Sequence, residues 1–191
     1  MAKFFGNLHL VLAIGLALTV AVMLGYGADI AVNTNSVFRW LHVFFGILWI
    51  GLLYYLNFVQ VPTMPSIPAE QKGAITGHIA PKVFFFFRWA ALLTVVTGLV
   101  IAYVGGYVHR AMVLNGTNAN ENLIGLGMWL ALIMAFNVWF IIWPAQKKIL
   151  GIVEATAEAK AAAAPKALAA SRTNLLLSLP MLYCMVSANL G

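Results

Sequence analysis

Charged residues are scarce in this sequence. Only 8% of its 191 residues are Asp, Glu, Lys or Arg, whereas 63% are hydrophobic, and a soluble domain carries about 25% charged residues. This composition excludes a water-soluble fold. The net charge of +6 does not indicate a nucleic-acid partner, because the basic residues lie between long apolar runs. We therefore predict an all-α, polytopic membrane helix bundle that contacts membrane lipids and binds no nucleic acid.

The sequence has a single cysteine and none of the motifs of soluble enzymes. Cys184 is the single cysteine and lies inside an apolar run, so no intrachain disulfide can form, and no CxxCH motif is present for covalent haem. There is no glycine-rich phosphate loop, no HExxH and no nucleophile elbow. Eight methionines occur, but without an MxxM cluster. They give little support to copper binding or small-solute transport, our third-ranked hypothesis.

Long apolar runs are what the sequence does contain. About 20 apolar residues cross a bilayer core of about 30 Å, and the runs predict one transmembrane domain over 1–191 with five spans, at about 8–25, 37–59, 82–104, 123–143 and 174–190. The first run is too long for a signal peptide and is kept as a helix. Residues 61–81, with four prolines, are predicted as a loop, and Pro144 is expected to end the fourth span. Residues 147–172 are predicted as an Ala-rich surface helix broken at Pro165.

The distribution of Lys and Arg predicts the orientation of the chain. With five spans, most of the basic residues share one side of the membrane with the N-terminus, which is therefore expected to be cytoplasmic. Arg39 and Arg110 lie on the opposite side. Arg88 falls just inside the membrane, where it either neutralises an anionic group or extends to the lipid headgroups.

The second span carries a polar and aromatic stripe. At about 100° per residue, its members fall within about 80° of one another: His42, Gly46, Trp49, Leu53, Asn57 and Gln60. Because lipid does not favour His, Asn and Gln, the stripe is expected to face other helices or a cofactor. His42 is the strongest candidate site residue.

The four histidines are expected at two depths. His42 and His109 lie towards the outer side and His9 and His78 towards the cytoplasmic side, so the two possible pairs are His42 with His109 and His9 with His78. Facing histidines in a bundle commonly hold b-type haem, which needs small residues beside the ring and basic residues at the propionates. The third span offers Ala91, Val95, Gly98 and Ala102 on one face, although such rows are also common in helix packing. The predicted haem b site comprises His42, His109, Trp49, Arg39, Arg88 and Arg110, and the predicted metal ligands are His42, His109 and His78.

Four segments of the sequence resemble a known family: RWLHVFFGILWIGLLYYLNFVQVP, PKVFFFFRWAALLTVVTGL, NVWFIIWPAQKKILG and SRTNLLLSLPMLYCMVSANL. They resemble the membrane domain of cytochrome c-linked urate oxidases, a bacterial inner-membrane family, from about Arg39 onward. The spacing of His42 and Trp49 is also similar to that of small haem-b membrane proteins of the copper-resistance D and membrane protoporphyrinogen oxidase groups. The resemblance implies a redox function and supports His42 as a site residue.

The family's cytochrome c domain is not part of this sequence. We therefore expect a haem-b protein of the bacterial inner membrane that acts in electron transfer or oxidation and passes electrons to a separate periplasmic cytochrome c or another membrane subunit. Urate oxidase-like activity of this chain alone is left open. The alternative hypothesis is a non-catalytic accessory subunit of a larger membrane complex, without a cofactor of its own.

Overall fold

The computed structural model describes residues 5–26 and 34–188, and the chain divides into two compact units, Met1–Val37 and Phe38–Gly191. The first unit contains helix α1, Leu8–Tyr26, none of whose residues is buried. Its 19 residues are strongly apolar and long enough to cross a membrane, in agreement with the prediction that this run is a helix.

The other helices are α2 (Thr34–Ser66), α3 (Ala69–Val104) and α5 (Ala119–Ile149), with the short α4 (Val108–Met112) and the long α6 (Ala157–Ser187). No strand occurs in residues 5–26 or 34–188, so the all-α class is confirmed. In these same ranges α1, α2, α3 and α5 are long and apolar enough to cross a membrane. The chain is therefore a membrane-type helix bundle.

The predicted end of the second span, start of the third and end of the fourth were wrong, and a proline lies near each of these boundaries. Residues 61–81 are largely helical rather than a loop, and α5 continues past Pro144 to Ile149. A π-helical turn ends two residues before each of Pro62, Pro81 and Pro144, at Tyr55–Gln60, Ile75–Ile79 and Asn137–Ile142 respectively. A π turn widens the helix and rearranges the backbone hydrogen bonds, which relieves the clash between the proline ring and the preceding carbonyl groups. The prolines therefore modify these helices without ending them.

The Ala-rich segment and the last predicted span form one helix. α6 runs without a break through Pro165 and Pro180, so the prediction of a separate surface helix broken at Pro165 was wrong. Ala163, Ala167 and Ala170 are buried, which shows that this part of α6 packs against its neighbours. The predicted fifth span is the C-terminal part of α6, apart from residues 189 and 190, which lie outside the described residues.

The core of the second unit lies where α2, α3, α5 and α6 meet. Its largest fully buried side chains include Trp49, Leu53, Phe87, Met134 and Val138. Buried amides join the helices within this apolar core. Asn137 Nδ2 donates to Asn174 Oδ1 at 2.9 Å, and Asn174 Nδ2 donates to the Met134 carbonyl oxygen at 2.9 Å. Because these amides find partners only on facing helices, they fix how α5 and α6 are aligned.

Candidate functional site: a cavity beside His42

His42 of α2 is held by a backbone group of α3. Its Nδ1 lies 2.8 Å from the carbonyl oxygen of Thr94 and 3.3 Å from Oγ1 of Thr97. Oγ1 of Thr97 also lies 2.6 Å from the Leu93 carbonyl oxygen, to which it donates. A carbonyl oxygen can only accept a hydrogen bond, so Nδ1 carries the proton. The lone pair of the neutral ring is therefore on Nε2, the nitrogen available to a metal ion or a proton donor.

Gly98 provides the space that the His42 ring occupies. A Cβ at residue 98 would lie 2.9 Å from Cε1 and 3.1 Å from Nδ1 of His42, both shorter than normal van der Waals contact. Only glycine therefore admits the imidazole in this position. Gly98 belongs to the small-residue face predicted for the third span, and Ala91 and Ala102 on that face are also buried.

A cavity lies beside the imidazole. It is lined by residues of α2, α3, α5 and α6, namely His42, Trp49, Thr94, Val95, Gly98, Leu99, Met128, Ala131, Leu132, Met181 and Met185. The space open to the centres of water molecules is about 40 Å³, and the whole empty volume, which includes open solvent at the mouth, is about 410 Å³. One water needs about 10–15 Å³ of the first kind of space. The cavity therefore admits a few waters, or one group inserted through the mouth.

The predicted stripe on α2 faces the bundle interior, as expected. Trp49 and Leu53 are completely buried and Asn57 is 2% exposed. Asn57 Nδ2 donates to the Leu53 carbonyl oxygen and to Oγ of Ser171 on α6, both at 2.9 Å. Three buried polar atoms of the stripe lack a hydrogen-bond partner within the described part of the chain: Trp49 Nε1, Asn57 Oδ1 and Gln60 Oε1. Trp49 is the one of these three residues that also lines the cavity.

Arg39, His109 and Arg110 do not line the cavity. His109 is exposed on α4. Arg110 makes two hydrogen bonds to the Glu121 carboxylate, at 2.8 and 2.7 Å, and this interaction raises the pKa of Arg110. Burial raises the pKa of Tyr107, while the charge of Arg39 lowers it and that of Glu121 raises it. Arg39 and Arg110, two basic residues of the predicted haem site, therefore lie at the same end of the bundle. Arg110 forms an ion pair with Glu121 there.

Arg88 and His78 also lie away from the cavity. The Arg88 guanidinium carbon is 3.9 Å from the centre of the Trp143 ring, a cation–π contact between α3 and α5. His78 is exposed in the π turn of α3, sixteen residues before Thr94 and hence about 24 Å away along a helix axis. His42 and His78 therefore cannot ligate one ion. In residues 5–26 and 34–188 there is no group of three or more His, Cys, Asp or Glu side chains able to hold a metal ion.

Sequence reasoning missed the methionines of the site. Met128 of α5 and Met181 and Met185 of α6 line the cavity with His42. They lie more than 80 residues from His42 in the chain and form no motif with it. The one local signal was the i, i+4 spacing of Met181 and Met185, which places both on one helix face.

These features define a membrane helix bundle with a histidine- and methionine-lined cavity. Compared with known families, residues 113–191 match the family described as "Urate oxidase N-terminal". The predicted resemblance to urate oxidase-like membrane proteins is thereby confirmed over less than half of the chain, and for residues 39–112, which include His42, it stays a prediction. No curated protein and no solved structure matched the chain.

Proposed function

We propose that this chain is a haem-b-binding protein of the bacterial inner membrane and that Nε2 of His42 would hold the iron. The observation that carries the proposal is the bond from His42 Nδ1 to the Thr94 carbonyl oxygen at 2.8 Å. Metal-ligating histidines almost always donate their other ring N–H to a carbonyl, a carboxylate or water, which fixes the ring and makes the ligating nitrogen more basic.

The cavity offers part of what a haem needs: an oriented imidazole, a glycine facing it and a wall of apolar side chains. Its enclosed space of about 40 Å³ holds a few waters, and the larger empty volume of about 410 Å³ includes open solvent. A porphyrin would therefore fit only if the helices that line the cavity moved apart. The buried N–H of Trp49, which has no partner in residues 5–26 and 34–188, could donate to an acceptor on the bound group. A bound haem would supply a centre that takes up and releases one electron.

The protein's own groups would set the properties of that centre. Thr94 keeps the proton on Nδ1 of His42, so that the ring stays in the tautomer that ligates through Nε2. Val95, Leu99 and Leu132 give the cavity an apolar wall, and the hydrophobic shell around such a centre influences its reduction potential. Two further kinds of group would be available to hold the iron: the His109 imidazole, predicted from the sequence, and the methionine thioethers of the cavity.

We further propose that the chain carries electrons in a urate oxidase-like system, to a separate periplasmic cytochrome c or a partner subunit. The family match of residues 113–191 supports this assignment. These residues include all of α5 and all of α6, the two helices that contribute the methionines that line the cavity.

The test is an absorption difference spectrum, dithionite-reduced minus oxidised, of the full chain purified in detergent after expression with added haem precursor. The proposal predicts a sharp b-type α-band and nearly one haem per chain. His42→Ala should lose the haem, and His9→Ala, on α1 and exposed, should retain it. A flat spectrum from well-folded protein, or a His42→Ala variant with full haem content, would refute the assignment. A flat spectrum would favour an accessory subunit, to be identified by co-purification from membranes.

A further inference from the structure

Two cationic side chains from different helices lie against the ring of Trp143 on α5. The guanidinium carbon of Arg88 on α3 is 3.9 Å from the ring centre, and Nζ of Lys147, one turn further along α5, is 5.9 Å from it. Because both cations lie on one indole, they are no more than about 10 Å apart, which is roughly the Debye length at 0.1 M salt. Two like charges are therefore held close together.

No carboxylate offsets these two charges. Neither side chain forms an ion pair or donates a hydrogen bond within residues 5–26 and 34–188. A guanidinium that packs on an aromatic ring keeps its N–H groups at the edge of its plane, where they can still donate. An anion that binds both cations would use these donors and relieve the repulsion between the charges.

The contacts between α3 and α5 fix the position of this pair. Trp139 Nε1 donates to the carbonyl oxygen of Arg88 at 3.0 Å, and the rings of Trp139 and Trp89 meet edge to face with their centres 5.4 Å apart. The backbone of Arg88 is thus bonded to the same helix that carries Trp143 and Lys147. Helix packing therefore brings the two cations together.

The surroundings of the pair are those of a membrane interface. Phe85 is 47% exposed, and its ring centre lies 5.5 Å from the guanidinium carbon of Arg88. Lys147 lies in the last turn of α5, and long basic side chains near the ends of membrane helices reach the level of the headgroups. The anion that this position makes most accessible to the pair is the phosphate of a membrane lipid.

We propose that Arg88 and Lys147 bind the phosphate of an anionic phospholipid, with Trp143 as the platform between them. Arginine forms charge-assisted hydrogen bonds to phosphate from the edge of its fork, and lysine acts on phosphate as a point charge. Basic pockets between membrane helices bind anionic headgroups, and the acyl chains would cover Phe85. Arg88 and Lys147 do not line the cavity beside His42, so this lipid site does not depend on haem.

The test follows the melting temperature of the full chain in neutral detergent as short-chain phosphatidylglycerol is added. Phosphatidylcholine, whose headgroup also carries a positive charge, and inorganic phosphate are added in parallel. Arg88→Gln and Lys147→Gln each remove one cation. Lys148→Gln is the matched control, because Lys148 is exposed in the same turn of α5 and is not one of the cations at the Trp143 ring.

We expect phosphatidylglycerol to raise the melting temperature of the parent in a saturable way and phosphatidylcholine to raise it less. A basic residue close to anionic lipid contributes about 1 kcal/mol, so Arg88→Gln and Lys147→Gln should each weaken the apparent affinity about fivefold. Lys148→Gln should match the parent. Each variant is compared with itself without lipid, so stability lost with the cation–π contact does not obscure the lipid effect.

Three results would overturn the proposal. Equal effects of the two lipids on the parent would show that the headgroup charge is not recognised. Unchanged affinity in Arg88→Gln and Lys147→Gln, or an equal loss in Lys148→Gln, would show that the pair at Trp143 is not the site. Stabilisation by inorganic phosphate as strong as that by phosphatidylglycerol, and lost in Arg88→Gln, would make a free anion the ligand instead of a lipid.

Discussion

The imidazole of His42 occupies the space that a side chain at Gly98 would fill. A Cβ at residue 98 would lie 2.9 Å from Cε1 of the ring, and Nδ1 of the same ring is 2.8 Å from the Thr94 carbonyl oxygen. The two contacts lie on successive turns of α3, so one helix provides both the space and the anchor for the imidazole. The position of Nε2 therefore depends on the packing of α2 against α3.

Gly98→Ala should displace the His42 ring. The added methyl group forces the imidazole away from α3 and stretches its bond to Thr94, an overpacking cost of about 1–3 kcal/mol. We expect a lower melting temperature in detergent and weaker haem retention. Gly51→Ala is the matched control on α2, because no atom lies within 4 Å of the added Cβ, and it should be neutral or slightly stabilising. Equal behaviour of the two variants would contradict the proposed role of Gly98.

Trp49→Phe should cost less stability than Trp139→Phe. Trp49 Nε1 is buried without a partner in the described part of the chain, so its removal breaks no hydrogen bond there. Trp139 Nε1 donates to the Arg88 carbonyl oxygen at 3.0 Å, a bond worth about 0.5–1.5 kcal/mol. Chemical unfolding of both haem-free variants measures the difference. A larger loss in Trp49→Phe would show that the volume removed from this completely buried site outweighs the Trp139 hydrogen bond.

Asn174→Ala should destabilise the packing of α5 against α6. The substitution removes the acceptor of Asn137 Nδ2 and the donor to the Met134 carbonyl oxygen. A buried polar group left without its partner costs about 1–3 kcal/mol, and hydrogen bonds between membrane helices average less, about 0.6 kcal/mol. We therefore expect a loss of about 1–2 kcal/mol, measured by unfolding in mixed detergent.

Thr173→Ala provides the control for that experiment. Thr173 is exposed on the same helix, and its hydroxyl bonds the Ala169 carbonyl oxygen of its own helix. Its removal should change stability by less than about 0.5 kcal/mol. A loss as large as that of Asn174→Ala would show that neither effect is specific to the interhelical bond.

Glu121→Gln should loosen α4 from α5. The carboxylate accepts two hydrogen bonds from Arg110 and one from the Thr117 backbone N–H at 2.9 Å. It also raises the pKa of Arg110, and an arginine is charged at neutral pH in any case. We expect faster amide exchange in α4, and a double-mutant cycle with Arg110→Gln should give a coupling that weakens with added salt. Full additivity of the two substitutions would rule out an energetic role for this ion pair.

Composition and periodicity in the sequence were enough to predict the bundle and the orientation of one helix face. Sparse charge and long apolar runs predict membrane helices because unpaired backbone groups cannot be left in lipid. The spacing of Trp49, Leu53 and Asn57 places them on one side of α2, and that side is buried. Pro62, Pro81 and Pro144 were wrongly interpreted as lying in loops or at helix ends. The sequence alone did not show that a preceding π turn accommodates each of them within a helix.

The sequence by itself determined that this protein is an all-α membrane protein, and it predicted that His42 is the histidine most suited to a site. Both conclusions follow from the local cost of placing polar groups in lipid. The tertiary structure alone decided what surrounds His42. Thr94 accepts a hydrogen bond from the ring and Gly98 leaves space for it. Met128, Met181 and Met185, from two helices far along the chain, line the cavity beside it. Contacts between residues so far apart in the chain depend on how the helices pack, which no local pattern specifies.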